Sequence, residues 1–183
     1  MKRRILTALF TLVVATSLVA CGGEVKTINN TSGGSNSSDQ NSANSGAEAP
    51  ITGFVFTYNG VSMGADLDFN TVYDALGKET TYFEAPSCAF EGIDKVYTYN
   101  HFEVDTYPDG EMDRIQYIFL LDDIVSTEEG ACIGMSAQEI TDIYGACDDE
   151  SNGSLTYTKE GMKLTFVIEG DSVTSIQYAS SVL

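Results

Sequence analysis

A chain of 183 residues holds one domain or two small ones, and this one carries 27 Asp and Glu against nine Lys and Arg. A formal net charge of −18 excludes nucleic acid as a partner, because phosphate binding needs Lys and Arg to displace counterions. Three of the nine basic residues lie within the first four positions and Lys26 is a fourth outside the body, so residues 51–183 keep only five, against 24 acidic ones.

The first twenty residues read as a signal peptide: "MKRR" supplies a positive start, "ILTALFTLVVATSLVA" an apolar run, and "LVAC" a small-residue cleavage site ending in Cys21. A buried helix is the competing reading, but basic residues directly before the run and a low-complexity tract directly after it argue for export. Leu18-Val19-Ala20-Cys21 resembles the lipobox of bacterial lipoproteins. That resemblance implies cleavage before Cys21 and a thioether-linked diacylglycerol on its sulfur, with palmitate as the kind of acyl chain. Two chains convert marginal membrane binding into stable anchoring. The expected location is the cell membrane, lipid-anchored, on the extracytoplasmic side.

Residues 22–50, "GGEVKTINNTSGGSNSSDQNSANSGAEAP", offer little to bury, so 21–50 reads as the lipidated Cys and a disordered Ser/Asn/Gly-rich tether. Its 29 residues span about 100 Å when stretched and about 30 Å as a flexible coil. The folded body would thereby stand away from the bilayer.

Within the body, "FVFTYNGVSMG" (54–64) leads through Gly to a helix over "FNTVYDALGKET" (69–80), and "KVYTYN" precedes a hairpin over "FEVDTYPDGEMDRIQY" (102–117). The second half runs in parallel. "VSTEEGACIGM" leads to a helix over "AQEITDIYGACD" (137–148), then come "LTYTKE" and a hairpin over "MKLTFVIEGDSVTSIQY" (162–178). Gly77 and Gly145 stand where a helix C-terminal Gly belongs. Asp-Gly and Gly-Asp mark the hairpin turns, and both second strands end in Ile-Gln-Tyr. Each half therefore reads as strand, helix and three antiparallel strands. The expected fold class is α+β, two tandem repeats of a helix packed on an antiparallel sheet, the first over 51–123 and the second over 124–183. In this reading Ile115/Tyr117 and Ile176/Tyr178 occupy equivalent faces.

"IGMSAQEITDIYG" resembles the helix start of the beta-lactamase inhibitory protein family and of small outer-membrane lipoproteins of the SmpA/OmlA type. Gly134-Met135-Ser136 matches it, with Ser136 as N-cap and Glu139 completing a capping box. "MGADLDF" in the first half departs from that order. The resemblance implies a tandem helix-plus-sheet module; no segment matches the inhibitory contacts of that family.

With Cys21 assigned to lipid, Cys88, Cys132 and Cys147 remain. A Cys132–Cys147 bridge across the second helix is the favoured pairing; Cys88 with either, or three free thiols, are the alternatives. Three Cys and one His without ligand spacing do not make a zinc set, and no cofactor motif occurs, so no cofactor or metal is expected. Catalytic signatures are also missing, and a Cys88–His101 dyad competes with a simple turn His. "DTYPDGEMD" lacks the final Glu of a calcium loop and reads as a hairpin.

Ten Tyr and no Trp point instead to binding, with Tyr99, Tyr107 and Tyr157 as candidates beside predicted hairpins. The expected function is a non-catalytic binding or scaffold module. Its partners would be the membrane, through the lipid on Cys21, and an extracellular protein or cell-envelope ligand. The alternative is an envelope enzyme or protein inhibitor with an acidic site. Because cleavage and lipidation both use the Cys21 thiol, Cys21→Ser is expected to leave an uncleaved or soluble protein; detergent-phase partitioning of wild type and variant checks this.

Overall fold

The computed structural model describes residues 51–180. Strands β1 (Phe56–Tyr58) and β2 (Val61–Met63) form a hairpin, followed by α1 (Asn70–Leu76). Then come β3 (Thr81–Pro86), β4 (Ile93–Thr98), β5 (Phe102–Asp109) and β6 (Met112–Leu120). After α2 (Ala137–Tyr144) the chain adds β7 (Asp149–Ser151), β8 (Ser154–Lys159), β9 (Met162–Glu169) and β10 (Ser172–Ser180). The last eight strands make one antiparallel sheet in the order β3-β4-β5-β6-β10-β9-β8-β7.

This architecture overturns the expectation of two tandem helix-on-sheet repeats. The body is dominated by a single eight-stranded sheet, accompanied by a two-stranded hairpin and two short helices. The strands of the two halves meet at β6 and β10, whose backbone bonds run from Tyr117 to Leu120 and Ile176 to Ala179. Two short helices of seven and eight residues cannot each cover a separate sheet, and α1 buries none of its residues fully. Three strands were not anticipated: the single strand expected over 54–64 folds as the two strands β1 and β2, and β3 and β7 are additional. β7 is three polar residues, and β3, "TYFEAP", has a Pro at its end and no apolar alternation. Conversely, "VSTEEGACIGM" forms no strand.

Side chains alternate across the sheet, so registered partners share a face. One row, Tyr97–Val104–Ile118–Tyr178–Leu164–Tyr157, crosses six strands and is buried throughout. Beside it, Phe102, Leu120, Ile176, Phe166 and Leu155 form a second apolar row. The β1–β2 hairpin and both helices contact the sheet on this face. Phe56 of β1 packs at 5.2 Å from Phe102 and 6.1 Å from Tyr178. Tyr73 of α1 lies 5.5 Å from Tyr97, and Tyr144 of α2 lies 5.0 Å from Tyr157 and 5.3 Å from Phe166.

Local chemistry explains the covering elements. The β1–β2 turn is Asn59-Gly60, both at positive φ (50° and 83°), the geometry that suits a two-residue hairpin. Ser136 caps α2 as expected: its Oγ accepts from Glu139 N–H at 3.3 Å, and Glu139 Oε2 accepts from Ser136 N–H at 2.8 Å. Helix α1 has no side-chain cap at Phe69, but its lead-in is strapped to β6. Asp66 N–H donates to Ile115 O at 2.8 Å, and Phe69 N–H donates to Asp113 O at 2.7 Å. Asp66 also accepts the hydroxyls of Tyr107 (3.0 Å) and Ser180 (2.7 Å).

The repeated tripeptide does not occupy equivalent positions. Thr106 registers with Ile115 while Asp105 registers with Tyr117, so Gln116 is the extra residue of a β-bulge inside the first Ile-Gln-Tyr. In β10 the shift falls earlier, between Val173 and Ser175. Ile115, Ile176 and Tyr178 therefore face the core, whereas Tyr117 is turned to the opposite face. Ile115 and Ile176 are both fully buried. Ile115→Ala or Ile176→Ala is expected to cost about 2–5 kcal/mol through lost burial and a residual cavity. Urea unfolding of the two variants measures this.

Candidate functional site: the open face of the sheet

The face opposite the core carries two registered rows. The first is Phe83–Val96–Asp105–Tyr117–Ala179–Lys163, and the second is Thr98–Glu103–Phe119–Gln177–Thr165–Thr156. At their centre, on β6, the Tyr117 and Phe119 rings stand 5.7 Å apart. Opposed side chains on one face lie about 5 Å apart at Cβ, so Asp105 and Glu103 of β5 flank the two rings on one side. Gln177 and Ala179 of β10 flank them on the other. The hydrogen bonds of these polar side chains run within the face: Thr98 donates to Glu103 at 2.6 Å, and the Thr156 and Thr165 hydroxyls meet at 3.2 Å.

Asp105 is the unusual group. One of its carboxylate oxygens is buried without a hydrogen-bond partner, as is one oxygen of Asp94. Burial, and then the neighbouring Glu103 charge, raise the Asp105 carboxyl from its ordinary 3.8 to about 6. The face thus combines an aromatic centre with a carboxylate that is poorly solvated and unpaired. Such a group has something to gain from a donor brought by a ligand.

Of the tyrosines singled out in sequence, Tyr107 lies on this face beside Asp105, and the other two fall elsewhere. Tyr99 (6% exposed) and Tyr157 (5%) belong to the core. Tyr99 stacks on Phe102 at 4.7 Å, and the Tyr157 hydroxyl donates to Gly145 O at 3.1 Å. Tyr107 is half-buried, stacked on Phe90 at 4.8 Å and committed through its hydroxyl to Asp66. Tyr99 and Tyr157 are structural in their packing, and the exposure expected of those two is corrected. Cys132 and Cys147 are free thiols, as is Cys88, so the Cys132–Cys147 bridge is not formed. Cys21 lies outside the described residues. Cys88 and His101 sit beyond opposite ends of β4, a separation of about 20 Å for six residues of strand, so they form no dyad. His101 Nδ1 instead meets Asp122 Oδ2 at 2.7 Å, and this bond holds the Asp122 carboxyl below the ordinary carboxylate range.

Tyr117 and Phe119 escaped the sequence reading because alternation was counted straight through Gln116. Without the bulge, Tyr117 falls on the same face as Ile115 and reads as core. An unbroken run "IQYIFL" contains no signal of where an extra residue will be accommodated.

A hollow of about 490 Å³ beside α2 and β8 includes Gln138, Thr141, Cys147 and Glu150, and another of about 370 Å³ includes Tyr58, His101 and Ser126. No group of three or more His, Cys, Asp or Glu is arranged to hold a metal ion among the described residues. No helix among them is long and apolar enough to cross a membrane. No family model, curated protein or solved structure matches the chain.

A carboxyl whose pKa is higher in the folded than in the unfolded state penalises folding once it ionises. For Asp105 the penalty is complete above about pH 6 and absent below about 3.8. Asp105→Asn is expected to stabilise the protein at pH 7 by about 1 kcal/mol, a value discounted for the solvent that still reaches the group. That advantage should shrink as pH falls from 6 to 4. Urea midpoints measured across this range check both the sign and the window.

Proposed function

We propose that this chain is a lipid-anchored protein of the cell membrane, facing the extracytoplasmic side, whose body is a non-catalytic binding module. Its working surface in this reading is the open face of the sheet, presented to an extracellular protein or cell-envelope ligand. The observation that carries the proposal is the Tyr117–Phe119 pair, central on the face opposite the one that β1, α1 and α2 contact. Aromatic residues at the middle of a patch, bordered by polar side chains, are the usual anatomy of a recognition surface. The lipobox and tether supply the anchoring half of the proposal, and the 24 acidic residues of the body favour standoff from anionic surfaces.

An envelope enzyme or protein inhibitor is the second reading. The observation favouring it is Asp105, whose carboxyl near 6 lies beside Glu103. Against it stands the setting of Asp105 on a sheet face, where it lines none of the described hollows, since catalysis needs a site that encloses the reacting groups and excludes water.

Truncating an anchor separates the two. A partner captured by the wild-type protein and titrated against Tyr117→Ala and Phe119→Ala should lose about 2 kcal/mol or more of affinity in at least one of them. Because both rings are only half-buried, folding should be much less affected than by Ile115→Ala. Unchanged affinity in both variants would remove the open face as the binding surface.

A further inference from the structure

The two edges of the sheet are built differently. β7 is three residues long, two of them acidic, which is how natural sheets blunt an edge. β3 is six residues long and pairs with β4 from Thr81↔Thr98 to Pro86↔Ile93 with no bulge. It carries no Lys or Arg, and its one Pro lies at the last position. Of the five large hydrophobic residues that stand exposed among the described residues, three are at this edge: Tyr82 (43%), Phe83 (61%) and Ile93 (42%). Six residues long, unbulged and with two exposed aromatic rings, β3 retains features that make an edge a template for another strand.

The chemistry of its neighbours indicates the occupant. Tyr82 and Glu84 point to the core-face side, where the Tyr82 hydroxyl donates to the Glu84 carboxylate and the Tyr82 ring leans on Tyr97 at 5.2 Å. Lys95, registered opposite Glu84, is held by Asp113 at 2.6 Å and is therefore committed elsewhere. On the other side Phe83 projects from the open face. A second copy of the chain is disfavoured, since it would bring another body with 24 acidic and five basic residues against the first.

We propose that β3 is an acceptor edge for strand addition by an extended basic segment of a partner protein, in which Lys or Arg alternates with apolar residues. Backbone bonds to β3 supply the pairing. The cationic side chains run beside Glu84 and Tyr82, and the apolar ones beside Phe83. This surface is distinct from the Tyr117–Phe119 centre and does not depend on it.

The test uses the full chain in detergent micelles and a fluorescent peptide of alternating Lys and Val, followed by anisotropy. A second peptide of equal charge, with Pro replacing alternate Val, retains the electrostatic attraction but cannot pair as a strand. The expected result is saturable binding of the first peptide and at least tenfold weaker binding of the second. Glu84→Lys and Phe83→Lys should each weaken binding of the first peptide at least tenfold, with circular dichroism unchanged. If Glu84→Lys does not fold, Glu84→Gln is read in its place, with a threefold or greater loss expected. Tyr117→Ala should leave peptide binding unchanged, which separates this edge from the open-face reading. Equal binding of both peptides, or wild-type affinity in the β3 variants, would overturn the proposal. So would a concentration-dependent dimer of the chain alone that Glu84→Lys abolishes, because β3 would then be occupied by a second copy.

Discussion

One extra residue at the centre of the sheet governs both of its faces. Gln116 breaks the alternation of β6, so that Ile115 and Ile118 both point into the core and Tyr117 is directed outward. A regular strand would have to choose, since alternate residues must fall on opposite faces. The bulge lets β6 meet the core on either side of the break. Ile115 lies under the strap from Asp66 to Phe69, and Ile118 lies in the row that continues through Tyr178 and Leu164. The same displacement supplies Tyr117 to the open face beside Phe119.

The join between β6 and β10 turns eight strands into one surface. It consists of four registered pairs, yet the apolar rows cross it without interruption. The hydrophobic core is consequently continuous from Tyr97 at one end to Tyr157 at the other, and the hairpin of β1 and β2 lies over the middle through Phe56. This explains why two helices of only seven and eight residues suffice. They close the flanks of a shared core, through Tyr73 on one side and Tyr144 on the other. Neither has to build a core of its own.

Electrostatics give the outer surface its character. With few Lys and Arg in the body, most carboxylates have no cation to answer them; Lys95–Asp113 and Arg114–Asp109 are ion pairs at 2.6 and 2.5 Å. Asp105 is the exposed-face carboxylate where this matters most, because burial adds to the repulsion from Glu103. A surface of this kind repels anionic polymers and tolerates, or welcomes, donors and cations. The open face and the β3 edge share that bias while differing in how they would hold a ligand, by aromatic area in one case and by backbone pairing in the other.

Local signals in the amino-acid sequence carried much of this. The hairpins over 102–117 and 162–178, both helices, the Ser136–Glu139 capping box and the glycines ending each helix follow from turn chemistry, capping and periodicity, which act within a few residues. Tertiary structure alone decided that the halves share one sheet, because strand order depends on pairing between residues some sixty positions apart. It also decided the environments of the tyrosines. Tyr99 and Tyr157 share their residue type with Tyr117, and only the register of neighbouring strands distinguishes a ring stacked in the core from one standing on the open face. A bulge shifts that register by one residue, and a shift of one residue exchanges inside for outside.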